Sequence, residues 1–91
     1  MYSDNKKKEY MRMFFDDQPA DFCEYAINGM KLKEESRKLL KYRYVDGKSD
    51  KMIAIFYGLH PDYINKQINK ALIEAYNSLK HWQYNAYFKT K

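Results

Sequence analysis

Ninety-one residues carrying a net charge of +5 allow one small domain, which buries only about 60–65% of the surface its unfolded chain exposes. One valine, Val45, and one threonine, Thr90, argue against an all-β fold. A single cysteine, Cys23, with two histidines, His60 and His81, supplies neither an internal disulfide nor a zinc ligand set, so no metal and no cofactor is expected.

The expected fold is all-α, with about five helices and short joints. Asp4 is placed to cap a first helix running to about Asp16, with Tyr10, Met11, Phe14 and Phe15 as its apolar stripe. Asp16 and Asp17 close that first apolar run, so no secretory leader is expected. Pro19 suits the first turn of a second helix that buries Phe22, Cys23, Ala26 and Ile27, with Asn28-Gly29 as its stop. The third helix is expected from about Met30 to Val45. Leu32, Ser36, Leu39, Leu40 and Arg43 share one face, and Asp46-Gly47 ends it. Ser49 caps a fourth helix from Asp50 to Tyr57, and Gly58 makes the turn. His60 stands at the next N-cap and Pro61 at the first helical position. The fifth helix runs to Lys80 or beyond, with Ile64, Ile68, Ala71, Leu72, Ala75 and Leu79 on its apolar face. By composition the chain divides into an N-terminal helical extension over 1–30, a core domain over 31–80 and an aromatic tail over 81–91. The longest apolar run, Met52 to Leu59, is far too short to span a bilayer. A cytoplasmic protein is therefore expected.

The most informative stretch is Tyr42 to Leu72, YRYVDGKSDKMIAIFYGLHPDYINKQINKAL. Small Ala54, then Gly58 four residues on, then Ile64 six further, is the spacing of a helix-turn-helix. The small residue lets two helices cross closely, the glycine supplies a positive φ, and the isoleucine plugs the angle between them. Ile53, Tyr57 and Ile68 fill the remaining gaps. The alternative is an ordinary helical hairpin inside a small bundle.

Arg43 to Ala54, R-Y-V-D-G-K-S-D-K-M-I-A, resembles the L-R-Y-x-E-G-x-S-x-x-E-I-A start of region 4 of bacterial sigma factors. The continuation from Gly58 to Leu72, G-L-H-x-x-Y-I-x-x-x-I-x-x-A-L, resembles that family's G-I-S-x-x-T-V-x-x-x-L-x-x-A-L. Phage-encoded transcription regulators with a solitary sigma-region-4-like domain share the pattern, and the resemblance covers about residues 32–80. It implies a sequence-specific, double-stranded DNA-binding transcription regulator of phage or mobile-element type. Met52 replaces the family's usual glutamate, and His60 and Tyr63 stand at its usual serine or threonine positions, so no base preference carries over.

Charge agrees with that expectation. Residues 1–30 hold four Lys/Arg and six Asp/Glu, whereas residues 31–91 hold thirteen and six, so the basic excess lies with the helix-turn-helix, where phosphate would use it. With the fifth helix in the major groove, spacing puts Asp62, Tyr63, Asn65, Lys66 and Asn69 towards base edges. Asn pairs bidentately with adenine, and Lys reaches guanine acceptors. Asp62 also suits the positive end of the helix dipole. Lys48, Ser49, Lys51, His60, Gln67 and Lys70 are placed for phosphate, Ser49 and His60 because helix N-termini favour anions. One recognition helix binds weakly, so a homodimer on paired half-sites is expected.

Catalytic inventories do not assemble. Gly47-Lys48-Ser49 resembles the end of a phosphate-binding loop, but Tyr42 stands where that loop needs its earlier glycine. Asp16 and Asp17 point apart on a helix, and Cys23 sits in an apolar stripe as a buried thiol. No enzyme is expected. The competing function is a helix-turn-helix scaffold that binds a host protein, such as RNA polymerase or a nucleic-acid-handling defence enzyme. Ile55, Phe56, Ile73 and Tyr76 look apolar at outward positions, and Trp82, Tyr84, Tyr87 and Phe88 lack an obvious partner in the sequence. Either the first two helices cover these residues or they form a dimer or partner surface.

Overall fold

The computed structural model describes residues 3–89, with side chains through Leu79. Five helices follow one another: α1 (Asp4–Asp16), α2 (Ala20–Gly29), α3 (Glu34–Tyr44), α4 (Asp50–Tyr57) and α5 (Pro61–Lys89). The all-α expectation holds. Among the described residues no helix is long and apolar enough to cross a membrane.

Local chemistry accounts for most of the helix ends. Ser49 accepts from the Met52 N–H at 3.2 Å and caps α4. That helix ends in a Schellman turn, with the Leu59 N–H on the Ala54 carbonyl, the Gly58 N–H on the Ile55 carbonyl and Gly58 at φ 70. Gly47 takes the same left-handed conformation after α3. The His60 Nδ1 accepts from the Asp62 N–H at 3.1 Å, and Pro61 opens α5.

Several boundaries differ from the sequence expectation. Ser3, not Asp4, caps α1 through the Lys6 N–H. Pro19 is the N-cap of α2 rather than part of its first turn, and Gly29 ends that helix without a positive φ. The third helix starts at Glu34, not at Met30, because tertiary contacts compete for this segment. Met30 leaves α2 in an extended conformation and its side chain is buried. The Lys31 N–H donates to Ser78 Oγ at 2.7 Å, and the Lys33 N–H donates to Glu74 Oε1 at 2.8 Å. Ser36 Oγ donates to the other Glu74 oxygen at 2.7 Å. Since α3 has no side-chain cap of its own, a carboxylate from α5 serves its N-terminus. Arg37 closes the same loop from within α3, donating to the carbonyls of Ile27, Met30 and Leu32. Helix α5 continues beyond Lys80, through Lys89, as the sequence allowed. The side chains of Trp82, Tyr84, Tyr87 and Phe88 lie outside the described residues.

One core serves all five helices. Met11 and Phe15 from α1, Cys23, Ala26 and Ile27 from α2, and Leu39 and Leu40 from α3 join Ile53 and Ala54 of α4 in a single cluster. The six apolar positions expected on α5, from Ile64 to Leu79, are all buried in it. The apolar faces of α1 and α2 thus contribute to the same core as α3, α4 and α5. Arg43 departs from the expected core face of α3. It is exposed and reaches Asp50 at 3.5 Å, while Ser36, Leu39 and Leu40 of that face are buried. The Cys23 thiol donates to the Phe15 carbonyl at 3.3 Å. Burial, reinforced by Asp16 and Asp21, pushes its pKa up.

Candidate nucleic-acid interface

Helix α5 is the spine of the fold, and what packs beside it decides which of its faces stays open. α3 lies along one side through Glu74 and Ser36. α1 runs antiparallel along another, with Lys7 donating to Asn77 at 3.2 Å near one end and Arg12 donating to Asn69 at 2.6 Å nearer the other. The Tyr10 ring meets the Tyr76 ring edge-on, and the Lys7 ammonium stands 5.6 Å from the same ring. α4 crosses the first turns of α5. Ala54 is buried where the two helices meet, with Ile64 and Ile68 opposite. The joint between them is the three residues Gly58, Leu59 and His60, the turn length that the helix-turn-helix expectation requires.

The first two turns of α5 remain open on their polar side. Asp62, Tyr63, Asn65 and Lys66 are exposed, and so is Lys70. Asn69 is half-buried because Arg12 lies against it. Its amide donates in turn to Asn65 at 3.2 Å, and Asn65 donates to Asp50 Oδ2 at 2.8 Å. Asp50 is the first residue of α4, so this bond draws the α4 N-terminus, with exposed Ser49 and Lys51 and half-buried Lys48, alongside the second turn of α5. Asn65 and Asn69 of α5 are thereby linked to the start of α4.

Two residues sit differently. Gln67 is half-buried in a shallow hollow lined by Glu35, Leu39, Tyr57, Leu59, Tyr63 and Ile64, on the side of α5 that faces α3. Tyr63 borders the same hollow and is half-exposed. The Tyr57 hydroxyl there has its pKa raised by burial first and by the Glu35 carboxylate next. His60 is exposed, and the Asp62 carboxylate stands 3.7 Å from its Nδ1.

Of the outward apolar residues, Ile73 and Tyr76 are half-buried, Tyr76 against α1. Ile55 and Phe56 stay 75% and 68% exposed, and they continue into Met52 and Leu59 at 54% and 46%. The first helices thus cover one part of this surface and leave the α4 part bare.

Sequence reasoning missed Arg12, Arg43 and Asp50 as members of the polar surface. Arg12 stands 57 positions from Asn69, and nothing in local periodicity links them. Its one sequence signal is a cation set among Met11, Met13 and Phe14. No family model, no curated protein and no solved structure matches the chain.

Proposed function

We propose that this chain is a sequence-specific DNA-binding transcription regulator of phage or mobile-element type that places the first turns of α5 in the major groove, as the resemblance to solitary sigma-region-4-like modules implies. The observation that carries this reading is the open polar side of those turns. Asp62, Tyr63, Asn65 and Lys66 stand in solvent although α1, α3 and α4 all pack on the same helix. Lys51 and Lys70 flank it as exposed cations, with Lys48 half-buried beside them, and phosphate neutralisation by such groups gives affinity before any base is read.

The test is binding of random and selected duplexes over a salt series. Lys66→Ala with Asn69→Ala should abolish sequence preference while leaving general affinity. Lys48→Ala with Lys51→Ala should weaken binding to every duplex and lower the slope of log affinity against log salt by about 1.8, at roughly 0.9 per phosphate contact. Failure of the protein to bind any duplex at low salt would end this reading.

One observation favours a second reading. The bare row Met52, Ile55, Phe56 and Leu59 suits a protein partner, such as RNA polymerase or a nucleic-acid-handling defence enzyme, or a second copy of the chain. On that reading duplex DNA gives no mobility shift, and Phe56→Asp releases a co-purifying partner.

A further inference from the structure

Arg12, Asn69, Asn65, Asp50 and Arg43 form one continuous line of polar side chains drawn from four helices. Arg12 Nη2 donates to Asn69 Oδ1 at 2.6 Å, Asn69 Nδ2 donates to Asn65 Oδ1 at 3.2 Å, and Asn65 Nδ2 donates to Asp50 Oδ2 at 2.8 Å. Arg43 Nε lies 3.5 Å from the other Asp50 oxygen. The two groups that flank the amides, Arg12 and Asp50, are chemically one-sided. A guanidinium only donates and a carboxylate only accepts. Both amides must therefore turn their oxygen towards α1 and their nitrogen towards α4. Reversing either one sets two donors or two acceptors against each other on both of its sides.

We infer that Arg12, on a helix outside the helix-turn-helix, is a specificity-determining positioning residue that holds Asn69 and Asn65 in one amide orientation for reading adenine. This rests on the DNA-binding reading proposed above. After its internal bonds, each amide keeps one N–H and one oxygen lone pair. That donor and acceptor match the N7 acceptor and N6 donor that adenine shows in the major groove. The two asparagines are one helical turn apart, about 6 Å along α5, so the adenines they meet lie roughly two base-pair steps from each other. An amide freed from Arg12 rotates, and both its reading direction and that of its neighbour are lost. Arg12 thus acts through Asn69 and touches neither base nor phosphate.

The experiment uses the full chain and a duplex that the wild type selects from a random pool, compared with a scrambled duplex over a salt series. Arg12→Met keeps the unbranched apolar stem of the side chain and removes the donor. It should lower the ratio of selected to scrambled affinity about tenfold, with the salt slope unchanged. Arg12→Lys, still a pure donor, should restore part of the ratio. Arg12→Met and Asn65→Ala should be non-additive although the two residues do not touch. Asp50→Asn, which removes the acceptor-only end with little change of shape, should produce the same loss from the opposite end. It carries the test if Arg12→Met fails to fold. An unchanged ratio in the folded variants overturns the inference, as does a fall in salt slope of about 0.9, which would make Arg12 a phosphate contact. A selected sequence lacking adenine overturns it while leaving DNA binding intact. A wild type that binds no duplex removes both.

Discussion

Replacing Arg37 by alanine should markedly destabilise this protein. Its guanidinium is largely covered, with the side chain 19% exposed. It holds the carbonyls at the end of α2 and through the turn that follows, with Met30 at 3.2 Å and Leu32 at 3.3 Å, and it also reaches Ile27. A hydrogen bond to a charged group contributes about 1.5–3 kcal/mol. Four carbonyls, that of Asn28 included, share two nitrogens, and the exposed loop lets water replace part of the loss, so the expected cost is about 2–4 kcal/mol. The cation also faces the negative end of α2, which adds to the same estimate. For a domain of this size that corresponds to a fall in Tm of roughly 10–25 °C. The Glu34 contact at 3.5 Å is exposed on the carboxylate side and contributes little, so the loss should scarcely depend on salt. Arg37→Lys should recover less than half, because an ammonium lacks the planar fork that spans several carbonyls. Thermal melting followed by circular dichroism at low and high salt measures all three quantities. A melting point within about 3 °C of the wild type for Arg37→Ala, or complete rescue by lysine, would refute the assignment.

Gly58→Ala should cost about 1–2 kcal/mol, since Gly58 holds φ 70 and a Cβ there would meet nothing within 4 Å. The penalty is one of backbone conformation, so Gly58→Asn should be milder, and chemical denaturation of the two variants compares them. Stability should also fall on the alkaline side. Burial raises the pKa of Cys23, Tyr44 and Tyr57 in the folded state. The unfolded chain therefore loses these protons first, and the contribution is complete below the ordinary thiol and phenol range and lost above roughly pH 9. Denaturation midpoints at pH 7 and pH 10 check the sign, and a rise at pH 10 would contradict it.

The features legible in the sequence are those whose causes act within a few residues. Ser49, Gly58 and His60 cap and turn the chain by bonds to neighbours two or three positions away, and Pro61 by its fixed φ, so the α4–α5 unit follows from its own residues. The buried row from Ile64 to Leu79 follows from helical spacing in the same way. The start of α3 did not follow. The apolar and polar pattern of residues 30–33 is compatible with helix, and only the arrival of Glu74 and Ser78 from α5 gives their backbone N–H groups better partners. Nor could spacing tell that α1 would lie against Tyr76 and Asn69 while Ile55 and Phe56 stayed bare.

The chain's own residues thus determined that it is helical, where α4 and α5 meet, and which side of α5 is polar, because caps, turns and periodicity are local forces. Tertiary structure alone decided how much of that polar side remains open and how its asparagines are held. Those outcomes depend on Arg12 and Asp50, brought to α5 from helices remote in sequence by the packing of a shared core.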